Sequence, residues 1–273
     1  MQTRLTVDPV RYSRMTTDEL RNAFLIETLF TPGRADLLYC EVERAVVGSA
    51  VPAGNAVLAL TPPPELRAQF FCERRELGVL NIGGTGNVTV DGKSFAMGNR
   101  DCLYIGRSSR NIEFSGAGAV FYLLSYPAHT THPTTLAKQS DAEPAKLGSE
   151  AECNKRTIYK YIHPAGVKSC QLVMGYTQLE PGSVWNTMPP HTHPRRSEVY
   201  LYFDVADTAR VFHIMGAPQE TRHIVVANRQ AIISPMWSVH CACATANYAF
   251  CWGMGGENQE FADMDPAPLA TLK

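Results

Sequence analysis

The sequence is organised around residues 180–202, which read EPGSVWNTMPPHTHPRRSEVYLY. His191 and His193 are two positions apart, so on a β-strand both side chains point to the same face. Glu198 follows five residues after His193. Two imidazoles and a carboxylate that converge on one face form most of a site for a divalent metal ion. The stretch therefore predicts a strand-based metal centre, and the rest of the chain must supply a further ligand.

Composition and charge limit the partners of the chain. The 273 residues carry a formal net charge of −1 at pH 7, which argues against a protein that binds nucleic acid or a membrane surface through its charge. No apolar run approaches the roughly 20 residues that a spanning helix needs, and the first residues lack the apolar core of a signal peptide. We therefore expect a soluble, cytoplasmic protein.

Short predicted strands alternate with turn residues along most of the chain. In the first half they cover residues 37–42, 45–51, 77–82, 87–90, 93–97, 102–105, 112–114 and 120–125, and in the second half 157–162, 170–179, 198–203, 210–215, 224–227, 231–234 and 248–254. Asp91 and Gly92 predict a tight hairpin between two of them. Thr16 followed by Glu19 predicts a capping box at the start of a short helix. This pattern predicts an all-β barrel or sandwich with a short N-terminal helix.

The two halves of the chain resemble a degenerate repeat. Residues 74–80 parallel residues 195–201 if one residue is inserted in the second copy, and residues 101–106 parallel residues 230–235. Between the halves, a polar stretch without apolar periodicity predicts a linker. We expect an N-terminal domain over 1–135, a linker over 136–155 and a C-terminal domain over 156–273.

A third histidine follows about forty residues after Glu198. His240 ends the segment PMWSVH, and in a barrel a distant strand can return its side chain to the face that carries His191 and His193. Three imidazoles and one carboxylate hold a zinc-like or iron-like ion and leave one or two positions for water or substrate oxygens. The sequence therefore predicts a metal centre with four protein ligands.

The order of these ligands resembles the two cupin motifs. A Pro-Gly pair, a His-x-His pair, a glutamate and a Pro-x-x-x-x-His segment follow one another, and the repeat makes the resemblance one to the bicupins. It implies two tandem cupin domains, each a double-stranded β-helix or jelly-roll barrel. The chain departs from the motifs in the long gap from Gly182 to His191, in Trp237 where glycine is usual, and in Ala244 where asparagine is frequent.

Longer stretches resemble one bicupin family, the 4-deoxy-L-threo-5-hexosulose-uronate ketol-isomerases of bacterial pectin and uronate degradation. These stretches are residues 20–25, 73–84, 185–193, 218–225 and 252–259, so the resemblance covers almost the whole chain. It implies one Zn2+ per chain and a homo-hexamer. The family's metal ligands carry over onto His191, His193, Glu198 and His240. Manganese, nickel and iron suit the same ligands.

The resemblance also implies a reaction. The family converts 5-dehydro-4-deoxy-D-glucuronate to 3-deoxy-D-glycero-2,5-hexodiulosonate, which is an aldose–ketose shift between C1 and C2. A metal ion that chelates the two oxygens would stabilise an enediolate while a base moves the proton. The sequence does not identify this base; a tyrosine, a carboxylate and a hydroxide on the metal all stay open.

Three other functions stay open at this point. Another bicupin sugar-acid isomerase, of the kind that acts on 5-deoxyglucuronate, would be distinguished by assaying both substrates. A cupin dioxygenase would consume oxygen, and three histidines with a glutamate also suit iron. A non-enzymatic sugar-binding bicupin would leave the sugar unchanged.

The strand that carries Glu198 also supplies candidate substrate-binding residues. Arg196, Tyr200 and Tyr202 share the parity of Glu198, so on a regular strand they face the same side. A uronate substrate carries a carboxylate, for which Arg196 is one candidate partner and Arg222 is another.

The N-terminal half lacks a His-x-His pair. Its aligned positions offer Glu76 and, near the second motif, Arg110 or Asn111. We therefore predict that this half binds no metal and serves packing and assembly.

Overall fold

The computed structural model describes residues 1–260 and 262–273, and β-strands dominate this part of the chain. The strands of the first half are β1 (Gln2–Arg4), β2 (Leu25–Ile26), β3 (Arg34–Cys40), β4 (Val46–Val51), β5 (Leu58–Ala59), β6 (Arg75–Asn81), β7 (Gly86–Val90), β8 (Lys93–Met97), β9 (Cys102–Ile105), β10 (Ile112–Ser115), β11 (Phe121–Pro127) and β12 (Thr135–Ala137). The strands of the second half are β13 (Ala145–Leu147), β14 (Arg156–Ile162), β15 (Val173–Leu179), β16 (His191–Thr192), β17 (Arg196–Phe203), β18 (Val211–Ala217), β19 (Glu220–Val226), β20 (Gln230–Ser234), β21 (Val239–Ala244), β22 (Ala249–Gly256) and β23 (Asp265–Pro266). The all-β prediction is confirmed.

Helices are few and short among the described residues. The α-helices are α1 (Pro9–Tyr12) and α2 (Thr17–Phe24), and single 3-10 turns cover Val42–Arg44, Pro64–Leu66, Phe71–Glu73, Gln139–Asp141 and Leu269–Thr271. Within the described chain, none of these helices combines the length and the apolar character that crossing a lipid bilayer requires.

Helix α2 begins at the predicted capping box. Thr16 is its N-cap: the Thr16 hydroxyl accepts a hydrogen bond from the backbone N–H of Glu19, and the Glu19 carboxylate accepts one from the N–H of Thr16. Leu20 and Phe24 are buried. The Phe24 ring packs edge-on with its centroid 6.4 Å from that of Trp237. Trp237, at a position where cupins usually have glycine, therefore packs against the helix.

The chain forms two compact units, and neither is continuous in sequence. The first comprises Met1–Arg4, Thr28–Glu143 and Lys160–Met174, and the second comprises Leu5–Glu27, Pro144–Tyr159 and Gly175–Lys273. Helix α2 thus belongs to the second unit although it lies near the N-terminus. The continuous limits predicted from the sequence, 1–135, 136–155 and 156–273, stay a prediction and do not include these discontinuities.

The first unit has an apolar core between two sheets. Its seven-stranded sheet has the order β1-β3-β4-β11-β6-β9-β12, and its four-stranded sheet has the order β5-β10-β7-β8. Leu77 and Val79 of β6 and Val88 and Val90 of β7 belong to one buried cluster. Burial of such side chains stabilises the fold by about 25 cal/mol per Å² of apolar surface. Hydrocarbon therefore fills the space between these two sheets.

The turn between β7 and β8 confirms the predicted hairpin. Asp91 and Gly92 both have positive φ angles, of 49° and 82°, and two such residues match a tight hairpin turn. The Asp91 carboxylate accepts hydrogen bonds from the backbone N–H groups of Arg110 and Asn111. Those two residues therefore stabilise the end of the hairpin through their backbone.

Most strands of a second pair of sheets, similar to the pair in the first unit, lie in the second unit. One sheet has the order β13-β14-β15-β22-β17-β20-β2, and the other has the order β19-β18-β21. Strands β14, β15, β22, β17 and β20 occupy the places that β3, β4, β11, β6 and β9 hold in the first unit. The repeat inferred from the sequence therefore corresponds to a repeated strand order.

Strand register corrects the alignment of the two repeats. Leu77 of β6 pairs with Ile105 at the end of β9, and Glu198 of β17 pairs with Ser234 at the end of β20. Leu77 rather than Glu76 is therefore the counterpart of Glu198, and no inserted residue is needed. Because side chains alternate along a strand, Glu76 points to the face opposite to Leu77.

Glu76 binds the backbone of its own unit. Its side chain is fully buried. The carboxylate accepts hydrogen bonds at 2.7–2.9 Å from three consecutive backbone N–H groups, those of residues 170–172. The hydroxyl of Tyr104 donates a fourth at 2.9 Å. Glu76 therefore accepts the hydrogen bonds of the backbone N–H groups in the segment that leads into β15.

The stretch predicted as a linker contains two short strands. Strand β12 pairs antiparallel with β9, and β13 pairs antiparallel with β14. Both lie at the edges of their sheets, where backbone pairing does not require an apolar repeat. The predicted linker limits of 136–155 stay a prediction.

Candidate metal centre

The four predicted metal ligands converge in the second unit. His191 lies in β16, His193 directly follows that strand, Glu198 lies in β17 and His240 lies in β21. The Nε2 atom of His191 lies 3.1 Å from Nε2 of His193 and 3.1 Å from Nε2 of His240. Oε2 of Glu198 lies 2.9 Å from Nε2 of His240 and 3.3 Å from Nε2 of His193. The two separate motifs therefore meet at one point.

The spacing of these atoms fits a four-coordinate metal ion. Ligand atoms at the corners of a tetrahedron, each about 2.0–2.1 Å from a zinc-like ion, lie about 3.3 Å apart. The closest pairs are 2.9–3.3 Å apart, and ligand atoms of all four residues lie within 4.8 Å of one another. The donor chemistry and the spacing together support a divalent metal cofactor.

Burial and mutual contact shift the pKa values of His191 and Glu198. Burial, followed by the nearby His240 and His193, lowers the pKa of His191 to about 3. The His191 ring is therefore neutral near pH 7 and can present a lone pair to a metal. Burial acts to raise the pKa of Glu198, but the charges and hydrogen bonds of His240 and His193 outweigh it and lower that pKa overall. An ionised carboxylate beside neutral imidazole is the form that binds a cation.

The C-terminal segment positions two of the ligands. Strand β23 pairs antiparallel with β16 and places Pro266 opposite His191. The carbonyl of Asp263 lies 2.8 Å from Nδ1 of His193. When Nδ1–H donates to this carbonyl, the Nε2 lone pair faces the other ligands. Nε of Arg195 donates to the Asp263 carboxylate at 2.8 Å, which anchors the segment.

A cavity of about 230 Å³ adjoins the ligands. Phe250, Trp252 and Met254 of β22 form an apolar part of its wall, and Tyr200 and Thr187 add hydroxyl groups. The hydroxyl oxygens of Thr187 and Tyr200 lie 3.0 Å apart. An apolar wall with a few polar groups is typical of a small-molecule site.

Comparison with known proteins identifies the family of this chain. The model of the KduI/IolB family matches residues 28–268. The chain belongs to the KduI/IolB family. Curated relatives include the 4-deoxy-L-threo-5-hexosulose-uronate ketol-isomerases of Shouchella clausii, 51% identical, and of Halalkalibacterium halodurans, 52% identical. Each alignment covers 100% of this chain and 100% of the relative.

Solved structures share the fold of this KduI/IolB family member. An IolB-like protein from Salmonella typhimurium LT2 has a TM-score of 0.71 and 12% identity, and the match covers 87% of this chain and 94% of that chain. Oxalate decarboxylase from Lactobacillus farciminis, in its formate complex, has a TM-score of 0.56 and 12% identity, and the match covers 86% of this chain and 88% of that chain. These likenesses concern the fold, and they confirm the prediction of an all-β cupin architecture.

The two tyrosines predicted near the substrate take different positions in this family member. Tyr200 lines the cavity, and its ring centroid lies 5.5 Å from that of His240. Tyr202 lies deeper in the core, where its hydroxyl oxygen is 2.7 Å from Nδ1 of His213. Tyr200 is therefore placed to touch a ligand, whereas Tyr202 contacts a buried histidine.

The two arginines predicted to bind a carboxylate lie outside the cavity wall. Arg196 is buried, and its Nη2 donates to the carbonyl of Asp263 at 2.9 Å. Nη1 of Arg222 donates to the carbonyl of Met15. Arg196 therefore supports the carbonyl that orients His193, and Arg222 holds the N-terminal segment.

Two residues of this site were missed by reasoning from the sequence. Arg156, the first residue of β14, lines the cavity, but a charged residue at the start of a strand has no distinctive pattern. Asp263 acts through its backbone carbonyl, which every residue possesses. Only the folded chain brings either residue to the ligands.

Replacing Asp263 with alanine should weaken metal binding by about 10-fold, the lower end of the effect expected when a group that orients a ligand is disturbed. The substitution removes the ion pair with Arg195 and thereby loosens the carbonyl that orients His193. Competition with a chelator measures the change. Asp265→Ala is the matched control, since Asp265 is more exposed and lies 3.6 Å from the same arginine. Equal metal affinities of the two variants would contradict the role of Asp263.

Proposed function

We propose that this protein is a ketol-isomerase that converts 5-dehydro-4-deoxy-D-glucuronate to 3-deoxy-D-glycero-2,5-hexodiulosonate. The observation that carries the proposal is the convergence of His240 with His191, His193 and Glu198, the last three of which line a small-molecule cavity. The choice of reaction is supported by 51% identity, over all of both chains, to a relative that bears the ketol-isomerase name.

The reaction moves a proton between neighbouring carbons, C1 and C2, and exchanges a carbonyl for a hydroxyl. His191, His193, Glu198 and His240 would hold a divalent ion, and its charge would polarise a carbonyl and favour negative charge on the substrate oxygens. Burial keeps His191 neutral, and contact with His240 and His193 favours the ionised form of Glu198. The apolar wall formed by Phe250, Trp252 and Met254 limits water in the cavity, which strengthens electrostatic interactions inside it.

Tyr200 supplies a protonated hydroxyl at the cavity wall. Burial, and then the negative charge of Glu198, raises the pKa of Tyr200 well above its usual value. The phenol is therefore neutral near pH 7 and can donate a hydrogen bond to a substrate oxygen. The nearby Thr187 hydroxyl, 3.0 Å away, restricts its direction. In the proposed reaction Tyr200 is a donor, and a neutral phenol does not serve as the base.

The metal ion is further proposed to be zinc, at one ion per chain. Three histidines and one glutamate form a tetrahedral donor set that zinc accepts, and manganese, nickel and iron accept the same donors. The first unit is proposed to bind no metal, since Leu77 stands at the position of Glu198. The hexameric assembly and the cytoplasmic location stay predictions from the sequence and the family resemblance.

Metal removal and reconstitution test the proposed function. We expect purified protein to contain zinc and to convert 5-dehydro-4-deoxy-D-glucuronate. A chelator should remove both the metal and the activity, and added Zn2+ should restore both, because a metal ion that stabilises developing charge contributes several kcal/mol to the rate. Elemental analysis and an NMR assay of the sugar, performed on the same samples, measure the two quantities.

Other outcomes would contradict this proposal in distinguishable ways. Conversion of 5-deoxyglucuronate in place of the proposed substrate would indicate a different sugar-acid isomerase. Oxygen consumption by iron-loaded protein would indicate a dioxygenase. Metal-loaded protein that leaves every tested sugar unchanged would indicate a binding protein.

A further inference from the structure

The cavity beside the metal ligands spans several strands of one sheet. Arg156 and Ile158 of β14, Thr177 of β15, Trp252 of β22 and Glu198 of β17 all line it. The sheet order places β15 and β22 between β14 and β17. With strands about 4.8 Å apart, the backbones of β14 and β17 are separated by about 14 Å along the sheet. Arg156 and the metal ligands therefore approach the cavity from different strands, with apolar and hydroxyl-bearing side chains between them.

Arg156 is a cation with unused hydrogen-bond donors. Its side chain is half-buried, and this burial lowers its pKa. Nη1 donates to the carbonyl of Asn154 at 2.8 Å, yet a guanidinium carries five N–H donors in a planar fork. Among the described residues, no carboxylate oxygen pairs with Arg156; Glu152 acts on it only through its more distant charge. Such a group in a cavity wall is suited to bind a carboxylate in bidentate fashion.

Among the described residues that line the cavity, Arg156 is the one with a permanent positive charge. Arg195 is paired with Asp263, and Arg196 is buried outside the cavity lining, where its Nη2 donates to the carbonyl of Asp263. A negatively charged substrate in the cavity can therefore pair with the guanidinium of Arg156.

We propose that Arg156 forms a carboxylate-binding subsite, so that the cavity selects sugar acids whose carboxylate lies at the far end of the molecule from the reacting carbonyl. The inference rests on the proposed isomerase function, since it assigns Arg156 as the binding residue for the end of the substrate that would lie away from the metal. It assigns to Arg156 the role that the sequence suggested for Arg196 or Arg222. A carboxylate held by Arg156 would also restrict the orientation of the substrate relative to Tyr200 and the candidate metal ligands in the same cavity, which lowers the entropic cost of the reaction.

Arg156→Met tests the subsite because it removes the charge and keeps most of the apolar stem. We expect kcat/KM for 5-dehydro-4-deoxy-D-glucuronate to fall about 100-fold, the size expected when charge-assisted hydrogen bonds are lost. Most of the loss should appear as a higher KM, and the metal content should stay unchanged. Arg156→Lys should recover only part of the loss because it lacks the planar fork. Added guanidinium ion should partly rescue Arg156→Ala.

Arg210→Met is the matched control, since Arg210 is exposed and its Nη1 donates to carbonyls of its own loop. It should retain the wild-type kcat/KM. Arg222→Met tests the alternative carboxylate partner. A wild-type kcat/KM in Arg156→Met, or a selective rise in KM in Arg222→Met alone, would overturn the assignment. Circular dichroism and metal analysis on each variant confirm that the fold and the centre are intact.

A binding experiment separates this inference from the proposed function. Zinc-loaded protein is titrated with D-glucuronate and with D-glucose, which differ at the carboxylate position, while tryptophan fluorescence or calorimetry reports binding. Wild-type protein should prefer D-glucuronate, and Arg156→Met should lose that preference. If wild-type protein shows this preference without isomerising the proposed substrate, the reaction is wrong and the subsite stands. If the isomerase is active and Arg156→Met keeps the preference, the subsite is wrong and the reaction stands.

Discussion

His191→Ala should release the bound metal and lower kcat/KM of the isomerase by at least about 1000-fold, since a metal ion that stabilises developing charge contributes several kcal/mol and each 1.4 kcal/mol is tenfold. His191 contacts both other imidazoles of the ligand group, because its Nε2 lies 3.1 Å from Nε2 of both His193 and His240. Alanine leaves two imidazoles and one carboxylate. Metal content and isomerase rate, measured on the same preparation, check the result.

His223→Ala provides the comparison for this loss. His223 is exposed on β19 and lies outside the ligand group, so its removal should leave both metal content and rate near those of the wild type. Activity and metal retained together in His191→Ala would refute the metal-assisted reaction. Metal retained with activity lost would instead assign His191 to substrate contact.

Glu76→Ala should destabilise the protein by about 4 kcal/mol or more, because each buried hydrogen-bonding group left without a partner costs about 1–3 kcal/mol. Three backbone N–H groups, those of residues 170–172, and the hydroxyl of Tyr104 would lose their acceptor. The alanine side chain leaves a small cavity as well. Thermal melting followed by circular dichroism should show a midpoint lower by about 10 °C for a unit of this size.

Glu76→Gln and Glu113→Ala complete this experiment. Glutamine keeps one oxygen acceptor and should recover part of the stability. Glu113 is exposed on β10, so its replacement should shift the midpoint little. A midpoint of Glu76→Ala equal to that of Glu113→Ala would contradict the structural role. Unchanged metal content in the folded Glu76→Ala protein would separate this role from that of Glu198.

Three of the candidate metal ligands, His191, His193 and Glu198, could be predicted because their spacing is local. His191 and His193 lie within one short segment, and a His-x-His pair in a strand-rich chain is typical of a metal site. His240 is distant, but the second motif and the resemblance over long stretches identified it. The strand pattern was predictable for a similar reason, since turn residues such as Asp91 and Gly92 act within a few positions.

The substrate side of the site was harder to predict. Arg196 and Arg222 had suitable chemistry and suitable positions in the sequence, yet their side chains bind backbone carbonyls in the fold. Arg156 shares no motif with the ligands and reaches the cavity from a strand three places away in the sheet. Position in a sheet depends on which strands pair, and that is a property of the whole fold.

By itself, the sequence determined the all-β class and the N-terminal capping box, because local spacing and side-chain chemistry encode them, and it predicted the four candidate metal ligands. Only the tertiary structure decided that Leu77 is the counterpart of Glu198, that the C-terminal segment orients His193, and that the cavity has Arg156 in its wall. Hydrogen-bond register and long-range strand pairing set these features. A register shift of one residue turns every side chain to the other face, so residue order alone does not specify them.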